Sequence, residues 1–412
     1  MSISVTLGAD GEKVVPFRSR LAPLLFMTVI FLFNFLARFI WGPLLVPIER
    51  DLGISHTGAG SLFFLITIGY MVGLLISGYV SQRFSHPGAI GLSCVSCGIV
   101  LAGASMADSL LFLAISMVLV GLATGIYLPS AIPSLTYGLA PGDYGKAYSF
   151  HEVSPSLCFI IGPILAEVML RHYPWERVLL PVAGGIFLLG IIYLLRPVTG
   201  RTYGEAPSSK SVRRVLSERR YWFLLFIFML GAGANVGVYA MLPLYLQAGR
   251  GLDQTTANTL LSMSRIAAIF SPFIVGWATD RFGPRRLLAA IMVLNGAATA
   301  MLGVGPERLF RGALFIQPML STAFFPPIWT ILSEIVHPRS RNLGVSLIVP
   351  PAFIMGGGVL PTVIGAFGDA GMFPVGFILW GVMTFLSVVA VVYTHSPATP
   401  PPDRSPPDAS RG

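Results

Sequence analysis

Long apolar runs recur along this chain with only short polar breaks between them. Each extends to about 20 residues, which as α-helix at about 1.5 Å per residue matches the roughly 30 Å hydrocarbon core of a bilayer. That feature removes most folds. Open sheets leave backbone N–H and C=O groups unpaired in lipid. Outer-membrane barrel strands alternate over about 10 residues, whereas these runs are longer and do not alternate. Composition points the same way: 54% of the 412 residues are hydrophobic and 11% are charged, against about 25% charged in a soluble domain. Such a chain cannot cover itself with polar surface, so the lipid bilayer is its solvent.

Twelve helical spans are predicted: near 21–47, 59–80, 88–106, 110–138, 147–170 and 177–195, then near 221–247, 255–279, 287–305, 312–335, 343–368 and 372–394. The polar, basic segment 196–220, RPVTGRTYGEAPSSKSVRRVLSERR, divides them six and six. The expected organisation is an N-terminal segment 1–20, a first half 21–195, this linker, a second half 221–394, and a Pro/Ser/Asp-rich tail 395–412 that reads as disordered. Lys and Arg placement sets the orientation. With the N-terminus cytoplasmic, 19 of the 27 basic residues fall on inside segments, 6 in outside loops and 2 within spans. Both termini are therefore expected in the cytoplasm, with the chain in an inner cell membrane. The first run is too long for a cleaved signal peptide and is expected to stay as an anchor.

The net charge of +9 is mostly this topology signal and does not indicate nucleic acid. Cys94 and Cys97 form a CxxC, but inside an apolar span they read as two small packing residues. No phosphate-binding loop, nucleophile triad or metal-ligand spacing is present. The sequence therefore predicts no enzyme, no cofactor and no metal.

The two halves overlay at one offset of 198 residues: Gly78 on Gly276, Arg83 on Arg281, Phe84 on Phe282, Pro129 on Pro327 and Pro163 on Pro361. Five matches at one offset indicate a duplicated six-helix unit, the construction of many transporters, whose substrate sites lie near the midplane between repeats. The segment GWATDRFGPRR, residues 276–286, resembles the G-x-x-x-D-R-x-G-R-R loop signature of the major facilitator superfamily. The first-half loop GYVSQRFSHPG is a degraded copy, with Gln82 in the Asp position. The resemblance covers about residues 21–395 and implies an all-α membrane fold of two pseudo-symmetric six-helix halves that transport by alternating access. It also implies that Asp280, Arg281 and Arg285, with Glu334, Arg341 and the first-half Arg83, form a cytoplasmic gate. The simpler reading is that these charges only hold the loops inside.

Two cations interrupt the apolar runs, Arg38 in span one and Arg265 in span eight. An Arg at a helix centre costs about 2.5–3.5 kcal/mol on insertion scales, and persists where it faces a cavity or partner. Coming from opposite halves, the two guanidiniums suit a carboxylate, phosphate or sulfonate through paired hydrogen bonds. The alternative is a structural ion pair, for example with Glu152. Arg38 stands fourteen residues before Leu52 of a D-L-G loop, a spacing similar to that of the span-one Arg in the anion:cation symporters of the superfamily. Ala37 replaces their preceding Asp, and Arg265 lies eleven residues before Gly276, unlike the span-eight Arg of monocarboxylate carriers, which lies about one turn before that Gly. The subfamily stays open.

Span five carries His151 and Glu152, which together could move a proton in step with substrate. Its Glu167 reads as an interfacial carboxylate. Asn34, Trp41, Tyr127, Asn235, Tyr239, Gln317 and Ser321 are the other polar or aromatic candidates for lining the site, each equally suited to helix–helix hydrogen bonding or packing. The predicted function is a proton-coupled secondary transporter, acting as a monomer on a small organic anion. Arg38 and Arg265 would bind that anion, and Glu152 with His151 would carry the proton. The alternatives are a proton-coupled efflux antiporter for drugs or other small molecules, and a sensor on the same fold.

Overall fold

The computed structural model describes residues 6–7, 13–139, 144–200, 202–204, 209–304, 306–335 and 341–394. It is almost wholly helical. A two-residue pairing of Thr6–Leu7 with Lys13–Val14 is the sole sheet among the described residues. Among the described residues, ten helices are long and apolar enough to cross a membrane. One of them, His56–Ala104, has 49 residues, about 74 Å of helix and more than two bilayer cores. It breaks at Ser85, whose φ of 68° and ψ of 166° are not helical. That break makes spans two and three. The remaining span, eight, is the pair Gln254–Ile266 and Ser271–Phe282, which carries more polar residues than the rest. The ten apolar helices, this break and this pair are together consistent with the twelve predicted spans. The linker is not all irregular, since Ser209–Leu216 is helical.

Local chemistry sets the boundaries. Span one runs past its expected end at 47 to Leu52, and stops where Gly53 takes a left-handed φ of 61°. Span two then starts on Ser55, whose hydroxyl accepts from the Gly58 amide at 3.2 Å. The second half repeats this at the same offset of 198. Gly251 takes φ 69°, and Asp253 accepts from the Thr256 amide at 2.9 Å. The turn between spans two and three also recurs. Gly283 of the GPRR loop takes φ 85°, and its first-half counterpart is Ser85. Glycine accepts such a φ freely, whereas Ser85 carries a side chain in a region nearly reserved for glycine. The duplication read from residue identities is thus also written in backbone conformation.

Within the first six spans, span two packs on span four and span three on span six; within the last six, span nine packs on span twelve. Contact between the two sets runs through span one on seven, two on eleven and five on eight. Close backbone approach marks this contact. A Cβ on Gly60 of span two would come within 2.7 Å of the Pro361 carbonyl carbon of span eleven, and one on Gly365 equally near that of His56. These approaches lie toward the end of the bundle opposite the linker, hereafter the far face. Large apolar side chains such as Leu75, Ile99, Leu188 and Leu386 are exposed around the circumference, where lipid covers them. Cys94, Cys97 and Cys158 are free and buried, as two of them were expected to be.

Candidate functional site

Span one delivers Arg38 into the interior, where it is 4% exposed. Residues three and four apart share a helix face, so Phe35 and Arg38 lie together with Phe39 adjoining. The guanidinium carbon sits 4.6 Å from the Phe35 ring centre and 5.6 Å from that of Phe39. Tyr70 of span two supplies a third ring at 4.3 Å. Arg38 Nε is buried without a hydrogen-bond partner. Beside it lies a constricted cavity of about 10 Å³, room for about one water, bordered by Arg38, Phe63, Thr67 and Tyr70 of the first half and Phe353 and Gly357 of span eleven. Arg38 thus lies on the boundary between the halves.

Arg265 is 3% exposed. Its guanidinium carbon lies 4.4 Å from the Phe159 ring and 4.7 Å from the Tyr239 ring. Its Nη2 donates to the Asn235 carbonyl at 3.0 Å. The reason that carbonyl is available is local. Span seven widens to a π-type turn over Gly233–Gly237, which disturbs the ordinary ladder and recurs at functional positions. The neighbouring Ala234 carbonyl accepts from Gln317 Nε2 at 2.6 Å. The Asn235 side chain donates to Ser321 Oγ at 3.2 Å, so spans seven, eight and ten meet at this turn.

Phe159 connects the two arginines. Its ring lies 5.6 Å from Phe35, 5.4 Å from Phe39 and 4.1 Å from Tyr239. The Tyr239 hydroxyl donates to the Phe159 carbonyl at 3.1 Å. The buried Cys158 precedes Phe159 on the same helix. Among the described residues neither arginine has a carboxylate within 4.0 Å. Aromatic faces meet their charge, but a ring face accepts hydrogen bonds poorly, and Arg38 Nε stays unpartnered.

The other expected site residues divide. Asn34 donates to the Thr124 carbonyl at 3.2 Å and ties span one to span four. The Trp41 indole donates to Ala37 of its own helix at 2.9 Å. Tyr127 and His151 form a separate buried group nearer the linker end. Tyr127 Oη lies 3.0 Å from His151 Nε2, and the His151 ring stacks on Phe31 at 3.9 Å between centres. The Glu152 side chain lies outside the described residues. At the linker end Arg285 pairs with Glu334 at 2.7 Å and also reaches the Thr394 carbonyl. Arg281 rests over Trp277 and Phe282, and Arg83 over Phe84, the corresponding position. The side chains of Asp280 and Arg341 lie outside the described residues, so the gate is visible only in its Arg285–Glu334 member. Sequence reasoning missed Phe35, Phe39, Tyr70, Phe159 and Cys158. The helix-face spacing of Phe35 and Arg38 was the available signal.

The family model of the Major Facilitator Superfamily matches residues 27–276 and 250–412. A gallate transporter of Pseudomonas putida is 22% identical over 71% of this chain and 73% of its own length. The membrane sensor protein UhpC of Escherichia coli is 23% identical over 66% of each chain. Among solved structures, a bacterial homologue of the human lysosomal transporter Spinster, inward-facing and occupied, superposes with a TM-score of 0.76 at 16% identity, over 93% of this chain and 99% of its own. That last likeness establishes the fold alone. With the matched family model spanning both sets of six helices, the chain belongs to the major facilitator superfamily, as a multi-pass membrane transporter.

Proposed function

We propose that this transporter moves a small organic anion across the inner membrane by alternating access, driven by protons, as a monomer with both termini in the cytoplasm. One observation carries the reading: two buried guanidiniums, one from each half, joined by aromatic rings and lacking carboxylate partners among the described residues. A desolvated cation–π contact is worth about 2 kcal/mol, which offsets much of the cost of placing an Arg in the span, about 2.5–3.5 kcal/mol. The ring faces do not satisfy every N–H donor. Arg38 Nε is already unpartnered, and an unmet buried donor costs about 1–3 kcal/mol. A carboxylate or related oxyanion answers both needs. It would reach this site through rearrangement of the constricted space beside Arg38. The similarity to a gallate transporter supports the same ligand class.

The proton would be carried by Glu152, whose side chain lies outside the described residues, together with His151, which contacts Tyr127. The reading is tested by flux into proteoliposomes holding the purified protein, with a proton gradient imposed and radiolabelled mono- and dicarboxylates supplied. Proton-driven uptake of one anion, absent in Arg38→Ala, supports it. Gradient-driven movement of lipophilic cations with no anion flux supports efflux instead. The similarity to a membrane sensor favours one second reading: a receptor would bind the anion specifically yet give no flux.

A further inference from the structure

Spans five and eleven each end at the far face in a carboxylate that crosses to the opposite half. Asp369, last residue of span eleven, accepts from the main-chain amides of His56 at 2.7 Å and Thr57 at 2.9 Å, and from the Thr57 hydroxyl. Glu167, near the end of span five, accepts from the Thr255 hydroxyl at 2.6 Å and from Asn258 Nδ2 at 3.4 Å. Thr57 and Thr255 are equivalent positions, separated by the 198-residue offset of the repeat. The two contacts are therefore one device used twice. In each, the threonine at the start of the second helix of one half is held by a carboxylate on the fifth helix of the other. The close approaches of Gly60 and Gly365 lie directly behind the Asp369 contact.

We propose that Asp369 and Glu167 are a paired latch that holds the far face shut, and that protonation of these carboxylates releases it. The physical reason is the asymmetry of a charged acceptor. An ionised carboxylate draws amide and hydroxyl donors through charge-assisted bonds about twice as strong as neutral ones, and the start of a helix favours a negative charge further. A protonated acid loses both advantages. Asp369 is exposed to the far side and Glu167 is 8% exposed, so protons reach the first more readily. The charged and titratable groups around them are few. On the Asp369 side, His56 turns its ring to Glu49, Nδ1 to Oε1 at 2.8 Å. On the Glu167 side, Arg171 of the same helix donates at 3.1 Å and favours the ionised form. The contact to Asp369 uses the His56 main-chain amide and not its ring, so acid release is assigned to the carboxylates.

Cys158 is a native reporter, since it is buried and adjoins Phe159, whose ring lies between the two arginine sites. In a Cys94→Ala, Cys97→Ala background, a membrane-impermeant maleimide applied from the far face of oriented vesicles should label Cys158 slowly. Asp369→Asn with Glu167→Gln should accelerate labelling about tenfold, equivalent to about 1.4 kcal/mol, and Thr57→Val with Thr255→Val should do likewise. Acid strong enough to protonate carboxylates held ionised by these donors should raise the wild-type rate toward that of the Asn/Gln variant. Their ratio cancels the pH dependence of the shared thiol. Melting temperatures within a few degrees of wild type establish that the variants fold. Unchanged labelling in both folded variants, or a ratio independent of pH, overturns the proposal. If the Asn/Gln variant fails to fold, the threonine variant and the wild-type pH profile decide it by the same criteria.

Discussion

Replacing Gly60 by alanine offers a sharp perturbation of the conformational cycle. The added Cβ would lie 2.7 Å from the Pro361 carbonyl carbon and 2.9 Å from the Thr362 Cα, both backbone atoms of span eleven. Backbone cannot swing aside as a side-chain tip does, so the two helices must separate by several tenths of an ångström. Overpacking of this kind costs about 1–3 kcal/mol. The contact joins spans two and eleven, which belong to opposite halves, so the cost exists only while the far face is closed. Conversion to the far-open state relieves it, and the equilibrium should shift toward that state about 5–150-fold. Cys158 labelling from the far face reads this shift. The control is Gly121→Ala, where the Cβ would meet the Tyr70 amide nitrogen at 2.7 Å. That clash lies between spans four and two of one half, which stay together in every state. It should lower the melting temperature and leave the labelling rate alone. Equal acceleration in both variants, or none in a folded Gly60→Ala, would refute the claim that the closed contact between spans two and eleven opens during the cycle.

Other consequences are separately measurable. Ser85→Gly should raise the melting temperature, because a side chain at φ 68° and ψ 166° stores about 1–3 kcal/mol of strain, more than the extra flexibility of glycine costs the folded state. Ser85→Ala should give no such gain, and equal stabilisation by both would remove backbone strain as the cause. The Arg285–Glu334 pair is partly solvated, with side chains 20% and 44% exposed, so a double-mutant cycle on transport should give a coupling below about 1 kcal/mol. A much larger coupling would assign this pair the main gating role. His151→Gln should abolish the dependence of uptake on a proton gradient while exchange of labelled for unlabelled substrate persists, and retained proton drive would take His151 out of the coupling path.

The fold was legible because lipid leaves few choices. Apolar length located most of the spans, and five residue matches located the repeat. The capping pair Ser55 and Asp253 and the turn pair Ser85 and Gly283 extend that repeat into conformation. Arg38 and Arg265 stood out since a charge in a span is costly. Their surroundings did not. Phe159 and Phe39 look in sequence like any of the 28 phenylalanines, because aromatic rings face lipid and site alike, and only tertiary packing selects those over a guanidinium. The polar candidates were harder. Asn34 and Trp41 turned out to satisfy backbone carbonyls, a demand that every buried N–H makes and that sequence cannot separate from ligand binding. Glu167 read as an interfacial carboxylate and Asp369 did not stand out at all, because their partners lie 88 and 312 residues away.

The most direct test of the account is a melting-temperature screen of the purified protein, since a ligand that binds the folded state stabilises it by mass action. Mono- and dicarboxylates, phosphate esters, neutral sugars and lipophilic cations would be compared in wild type, Arg38→Lys and Arg265→Lys, at two pH values. The account predicts stabilisation by one class of anion, with affinity reduced about 10–100-fold in each lysine variant, because an ammonium cannot reproduce a planar two-donor contact. Stabilisation by lipophilic cations alone, or by an anion whose effect is untouched in both lysine variants, would contradict it.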